Sequence, residues 1–481
     1  MEKRKEEYRE SKGSDNEDEM ERERGRFMSA TMDLTQGSIL KKLIRFTLPL
    51  LGTSFVGMAY AFIDMICIGA LGSGSVAAVG TAGFFLWFAN ASSAMARIGT
   101  QVLVSRSYGK KDFDAVRRYS GAAFWINICM GLFFTLFLFV GNHSLVAFFR
   151  LGKEEVITQA RSYLLIISCA MVFIYLNPVM AAMLNSVGNS RVPFLANTCG
   201  LVFNIVFDIL LIFGLGPFPK LGVNGAGIAT ALAALIVFCI QFVYIRRLEG
   251  ELRPDFVRLP LTKDVKALIS IGLPSAVQMS LYCCYSIVLA RIISRFGASS
   301  IAIQKVGGQV ESISWMTADG LAIALTAFVG QNYGIGNKER IKEGIRIVAG
   351  FALIFGGFAA LMLIVWGEEV FSIFFRESDV VKAGGDYAYI LGFSQIFMCM
   401  ELVFIGAFNG YGETRIPAMM SIILTGLRIP LALLLSATSL GVDGVWWAVS
   451  ATSIVKGLTI PLAFIWICVI GKRKYISVDR F

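Results

Sequence analysis

The sequence predicts an all-α polytopic membrane protein with twelve transmembrane helices in two pseudo-symmetric six-helix lobes. Three observations predict it. The 481-residue chain is 56% hydrophobic and 16% charged, with a mean hydropathy of +0.67, too apolar for an ordinary soluble domain. Apolar runs long enough to cross a bilayer, about 20 residues each, occur twelve times. The membrane-embedded part also reads twice. At an offset of 225, Leu48-Pro49 falls on Leu273-Pro274, Gly72 on Gly297, Ala77 on Ala302 and Tyr108-Gly109 on Tyr333-Gly334. At 224, Asn185, Gly188, Arg191 and Pro193 fall on Asn409, Gly412, Arg415 and Pro417. Gly222-Val223-Asn224-Gly225 returns as Gly441-Val442-Asp443-Gly444.

The first six spans lie near 43–70, 76–104, 117–140, 160–186, 192–214 and 222–246. The second six lie near 265–293, 298–329, 341–366, 384–409, 416–438 and 443–470. Several exceed a bilayer's needs, so tilted or kinked helices are expected. Residues 1–32 read as a disordered cytoplasmic tail, charged and without a cleavable signal peptide. The first lobe covers 33–246. A polar linker with Pro254 and Pro260 covers 247–264, the second lobe 265–470, and a short cytoplasmic tail 471–481.

Loop charges orient the chain. Lys41, Lys42, Arg106, Lys110, Lys111, Arg117, Arg118 and Arg191 mark one side, with Arg246, Arg247, Lys338, Arg340, Lys342 and Arg415. The positive-inside rule puts that side and both termini in the cytoplasm of a cell-membrane protein. Six spans per lobe is an even number, so the lobes share polarity and are related by an axis along the membrane normal. A net charge of +10 does not imply nucleic acid here, because the basic residues sit in short loops between apolar runs. The nine cysteines lie in apolar runs without a CxxC, which reads as packing rather than disulfides or zinc. His143, the only histidine, reads as a solvated loop residue. No phosphate-binding, dinucleotide or metalloprotease motif occurs at a plausible place, so no enzyme and no cofactor are expected. Any pumping must draw on an ion gradient.

Ionisable side chains within spans are costly and each is a functional hypothesis. Asp64 stands 15 residues beyond Pro49, and Asp208 stands 15 beyond Pro193. At 1.5 Å per residue both carboxylates sit about 22 Å above their prolines, hence at one depth. Asn204 lies one turn below Asp208. With a hydroxyl such as Thr230 they could make an oxygen cage for Na+, or a proton site; the bland reading is that each Asp bonds a neighbouring helix. The duplication maps Asp64 to Leu289, Asn204 to Arg428 and Asp208 to Ala432, so the acidic site belongs to the first lobe alone. The second lobe has Arg291, Glu311, Asp319, Glu401 and Arg428. Glu311 and Glu401 could bind a cationic substrate or a second proton; equally, a Glu–Arg pair would neutralise itself. Asp319 and Arg291 are expected near helix ends, where they snorkel. Met279, Tyr282, Tyr285, Trp315 and Trp446 could line an adaptable cavity, though such residues more often pack. Pro49 reads either as a hinge in the first helix or as a static proline.

These residues resemble the MATE (multidrug and toxic compound extrusion) transporters over about residues 33–470. The motifs are Asp33-Leu34-Thr35-Gln36-Gly37, Leu48-Pro49 with Asp64, Leu184-Asn185-Ser186-Val187-Gly188-Asn189, and Asn204 with Asp208. In the second lobe they are Val329-Gly330-Gln331-Asn332-Tyr333-Gly334 and Phe408-Asn409-Gly410-Tyr411-Gly412. The resemblance implies a V-shaped fold and efflux of drugs, often organic cations, in exchange for H+ or Na+. It also implies that Asp64, Asn204, Asp208 and Thr230 form the cation site and that Pro49 bends. The chain departs from the pattern at Tyr282, where some branches place a carboxylate, and at Met398, with Glu401 one turn on. Asn177 stands beside the positions of two further asparagines, near Pro178 and Ala181. The expected function is a monomeric secondary antiporter exporting amphiphilic small molecules. The alternative is a lipid-linked oligosaccharide flippase of the same superfamily. A non-transporting scaffold has no need of a buried Asp pair, and a channel would show a repeated selectivity motif.

Overall fold

A computed structural model describes residues 31–149, 151, 153–248, 253–256 and 258–470. The expected tails, save residues 31 and 32, and parts of the expected linker lie outside them. Regular structure among the described residues is helical throughout. The first half comprises α1 (Ile39–Gly69), α2 (Ser73–Gly109), α3 (Phe113–Ala147), α4 (Glu154–Ser186), α5 (Arg191–Phe213) and α6 (Val223–Arg246). The second comprises α7 (Thr262–Ile293), α8 (Ala298–Gly334), α9 (Lys338–Ser372), α10 (Ser378–Gly392) and α11 (Gln395–Gly410), then α12 (Arg415–Gly426), α13 (Arg428–Ser436) and α14 (Val442–Phe464). Eleven spans are long and apolar enough to cross a membrane, and α10 with α11, bent by 47°, makes a twelfth.

Four details differ from the sequence reading. The tenth span is two helices meeting at a bend, where the Ser394 hydroxyl donates to the Leu391 carbonyl at 2.8 Å; such back-bonding bends helices, and an apolar pattern does not register it. The eleventh span is likewise divided at Leu427, which puts Arg428 at the start of α13. A non-helical residue, Trp366 at φ −114° and ψ 24°, interrupts α9 in the ninth span. Pro49 lies inside α1, helical on both sides, as both the hinge and the static reading allow, since membrane helices tolerate the single lost backbone bond. Asp319 is in the interior of α8, not near its end, and Arg97 of α2 faces it across the halves.

The repeat is written into the backbone. Gly72 and Gly297, which precede α2 and α8, have φ/ψ of 104°/167° and 101°/172°. Gly222 and Gly441, before α6 and α14, have 55°/−128° and 54°/−127°; such positive φ is open mainly to glycine. Asp112 and Asn337 both cap the next helix by accepting from the backbone N–H three residues on. Ser190 donates to the Phe46 carbonyl at 2.7 Å, and its counterpart Thr414 donates to that of Ile271 at 2.5 Å.

The halves meet by the same symmetry. A Cβ on Gly109 would lie 2.0 Å from the Gln331 carbonyl oxygen, and one on Gly334 would lie 2.4 Å from that of Arg106. Arg106 and Gln331 are themselves equivalent at the 225 offset. The contact is therefore reciprocal, as a two-fold axis between α2 and α8 requires. Nearby, α2 and α7 cross so closely that a Cβ on Gly99 or Gly272 would strike the opposite backbone. Residues 31–38 lie over this junction. Arg340 of α9 donates to the carbonyls of Leu34, Gln36 and Gly37 at 3.1, 2.8 and 2.7 Å. Gln331 accepts from the Leu34 amide at 2.9 Å and donates to the Ser186 carbonyl at 2.8 Å. Arg106 reaches the Tyr411 carbonyl at 2.9 Å. These close approaches gather at the end of the bundle that carries the basic loops. Toward the other end, Phe62, Met65 and Ile66 of α1, Phe84, Trp87 and Phe88 of α2, and Ile301 of α8 are exposed.

Candidate cation site and the two polar cores

Within the first half, α1, α4, α5 and α6 bring their polar residues together. Asn204 and Asp208, one turn apart on α5, are both fully buried. Asp64 on α1 is close enough to Asp208 to interact with its charge. Tyr60, one turn before Asp64, and Tyr163 on α4 both sit against the Thr230 hydroxyl of α6 and within the field of both carboxylates. Asn177 on α4 donates to the Ala234 carbonyl of α6 at 2.9 Å, one turn past Thr230. The structure thus joins Asp64, Asn204, Asp208 and Thr230, and anchors Asn177 on the same α4–α6 seam.

The site's distinguishing property is what its atoms lack. Both Asp208 oxygens, both Asn204 amide atoms, one Asp64 oxygen and the Asn177 oxygen are buried without a hydrogen-bond partner. Neither aspartate has a basic partner among the described residues. An unsatisfied buried polar group costs about 1–3 kcal/mol, more when charged, so six in one place is a heavy cost. A small cation or protons would relieve the share of it that falls on the oxygens. The oxygens of Asp64, Asp208, Asn204 and Thr230 are hard donors that suit Na+, and two adjacent carboxylates equally suit protons. The residues therefore fit either ion.

The second half builds its polar core differently. Glu401 of α11 accepts from the Lys456 ammonium of α14 at 3.0 Å and from Ser421 of α12 at 3.4 Å. Lys456 and Glu401 are 7% and 5% exposed. Arg428 donates to the Thr452 and Ser453 hydroxyls of α14 at 3.0 and 3.1 Å. Glu311 of α8 accepts from Tyr387 at 2.6 Å and lies near Arg428 and Gln395. Of the two glutamates, Glu401 is paired with Lys456, while Glu311 lies in the field of Arg428, the Glu–Arg arrangement the sequence offered. Tyr282 is 46% exposed on α7 and close to Tyr387. Arg291 lies in the last turn of α7, as expected.

Sequence comparison settles the family. The MatE family model matches residues 49–210 and again 274–434. The chain belongs to the MatE family. Each MatE match opens on a repeat-equivalent proline, Pro49 or Pro274, so the family's unit is one half of this chain. Two MatE relatives are similar along nearly their whole lengths. The probable multidrug resistance protein NorM of Thermotoga maritima is 26% identical over 92% of this chain and 95% of the relative. The probable multidrug resistance protein YoeA of Bacillus subtilis is 27% identical over 93% and 97%. Among solved structures, a mutant of the Vibrio cholerae MATE transporter VcmN superposes with a TM-score of 0.83 at 19% identity, covering 89% of this chain and 96% of that one. That likeness shows the fold.

Several residues of these cores escaped the sequence reading, as did Arg97 opposite Asp319. Lys456 and Arg97 are ionisable groups inside apolar spans, the very signal applied to Asp64, and were legible by it. Tyr60 lies one turn from Asp64, and Tyr163 falls on Tyr387 at the 224 offset. A tyrosine in an apolar run gives no sign of facing a carboxylate until the helices are packed. Thr230 and Lys456 both lie beyond the matched MatE segments.

Proposed function

We propose that this protein is a secondary active exporter of amphiphilic small molecules, organic cations among them, driven by exchange for H+ or Na+ at Asp64, Asp208, Asn204 and Thr230. One observation carries the reading: a buried acidic pair, with no basic partner and surrounded by orphaned acceptors, inside a membrane bundle. The multidrug-resistance names of NorM and YoeA support the substrate class. Each chain holds both halves and the whole site, so a monomer suffices.

Alternating access follows from the junction. With the basic end cytoplasmic by the positive-inside rule, the halves are closed toward the cytoplasm and the state is outward-facing. The exposed aromatic and aliphatic side chains of α1, α2 and α8 toward that outer end then offer apolar surface to an amphiphilic substrate, with exposed Tyr282 available to it. A cation drives the cycle only by binding one state more tightly than the other. Here it removes the cost of the unpaired carboxylates, and its release toward the cytoplasm restores that cost. The acidic pair disfavours a flippase for anionic lipid-linked oligosaccharide, which calls for cationic groups at the same depth.

Purified protein in liposomes, given a cationic dye and then a pH gradient alone or a Na+ gradient alone, tests the reading. Dye movement under one of them, lost in Asp64→Asn, is expected. Movement under neither, or movement intact in Asp64→Asn, overturns it.

A further inference from the structure

We propose that the Lys456 ammonium is a tethered resident cation: it holds at Glu401, next to the counterpart of the first-half site, the position a free cation would otherwise take, so the second half carries no coupling ion. The proposal rests on the reading of the first half as the exchange site.

The argument is one of equivalent positions. At the 224 offset Asn177 falls on Glu401, Asn204 on Arg428 and Tyr163 on Tyr387. The two polar cores therefore overlap in place, with Leu289 and Ala432 standing where the first half has Asp64 and Asp208. Their charges are balanced in opposite ways. The first core has two carboxylates, six orphaned polar atoms and no lysine or arginine beside either carboxylate. The second has Glu311 and Glu401 against Arg428 and Lys456, which sum to zero. The difference lies on one helix face. At the 219 offset that aligns Gly222 with Gly441, Ala233, Ala234 and Val237 of α6 become Thr452, Ser453 and Lys456 of α14. The two hydroxyls hold Arg428, and the ammonium holds Glu401.

An ammonium tied to its own helix cannot leave with the solution ion. Its effective concentration at Glu401 also exceeds that of any free cation. Glu401 is thus loaded at every stage of the cycle, and the gradient acts on the first half alone. The groups facing Glu401 are Ser421 on α12 and Lys456 on α14; beyond Lys456 are Arg428 on α13 and, past it, Glu311 on α8 with Tyr387 on α10.

The test uses full-length protein in detergent, in an Asp64→Asn/Asp208→Asn background that silences the first site. Its thermal midpoint is measured across NaCl and choline chloride at equal ionic strength, and across pH. That background is expected to be indifferent to Na+. Adding Lys456→Met should produce a midpoint that climbs by several degrees with Na+ or with acid, and adding Glu401→Gln as well should abolish the dependence. A Lys456→Met protein that neither Na+ nor acid rescues overturns the proposal, because Glu401 then makes a structural clamp and not a cation site. A second measurement does not depend on that variant folding. Radioactive Na+ binding, or proton uptake on acidification, should be lost from the Asp64→Asn/Asp208→Asn protein. An equivalent that survives there and disappears with Glu401→Gln overturns the proposal. Coupled efflux surviving in Asp64→Asn would instead remove the functional reading while leaving the Lys456 result intact.

Discussion

The two halves share a backbone and differ in how they balance buried charge. Their turns repeat to within a few degrees at Gly72 and Gly297 and at Gly222 and Gly441. Yet the first core leaves its carboxylates unpaired, and the second pairs Glu401 with Lys456 at 3.0 Å. The difference teaches that duplication supplies a scaffold with two places for polar chemistry, and a few substitutions on one helix face decide which place stays open. A core whose charge is completed from outside responds to the medium. A core completed from within holds still.

The largest expected effect breaks the comparison on its responsive side. Asp64→Asn keeps shape and hydrogen-bonding capacity but neither takes up a proton nor neutralises Na+; gradient-driven dye efflux from liposomes should fall to background while dye binding persists. On the paired side, Lys456→Met or Glu401→Gln leaves one buried charge alone and should cost about 3–5 kcal/mol of stability, whereas the double variant should cost far less. Denaturation of the three proteins reads this directly, and a double-variant loss equal to the sum of the two single losses would show that the pair is not coupled. Binding of cationic and neutral dyes by Glu401→Gln sharpens the same point: both should weaken together if Glu401 serves Lys456 and not substrate.

The junction tests the symmetry. Gly109→Ala and Gly334→Ala each press a methyl group onto the partner's backbone carbonyl. Each should destabilise the closed basic end by about 1–3 kcal/mol, and the two should behave alike. Labelling rates of a cysteine introduced at the junction would report the opening; closure undisturbed by either would remove these contacts from the gate. Tyr60→Phe should have the smallest effect. It removes one hydroxyl beside Thr230, and the ion affinity of the first site should drop by about two- to tenfold, from about 0.5–1.5 kcal/mol for a net hydrogen bond.

Much of this organisation was legible in the chain. Hydropathy placed twelve spans, the internal repeat foretold the matched turns, and the rule that membrane charges are costly picked out Asp64 and Asp208. The same rule applied evenly would have found Lys456, which a run of apolar neighbours in α14 concealed. It did not reveal the bend at Ser394 or the division at Leu427, because apolar residues continue on both sides of each break.

What the sequence determined by itself is the set of elements and their duplication, because bilayer thickness and backbone hydrogen bonding leave an apolar chain few alternatives. Which charges face which was decided only by packing. Glu401 lies 27 residues before Arg428 and 55 before Lys456 along the chain, and nothing in those spacings favours the lysine. The bent tenth span and the rotation of α14 bring the ammonium to the carboxylate. Electrostatic partners inside a membrane are chosen by distances of a few ångströms in three dimensions, and a one-dimensional pattern does not encode them.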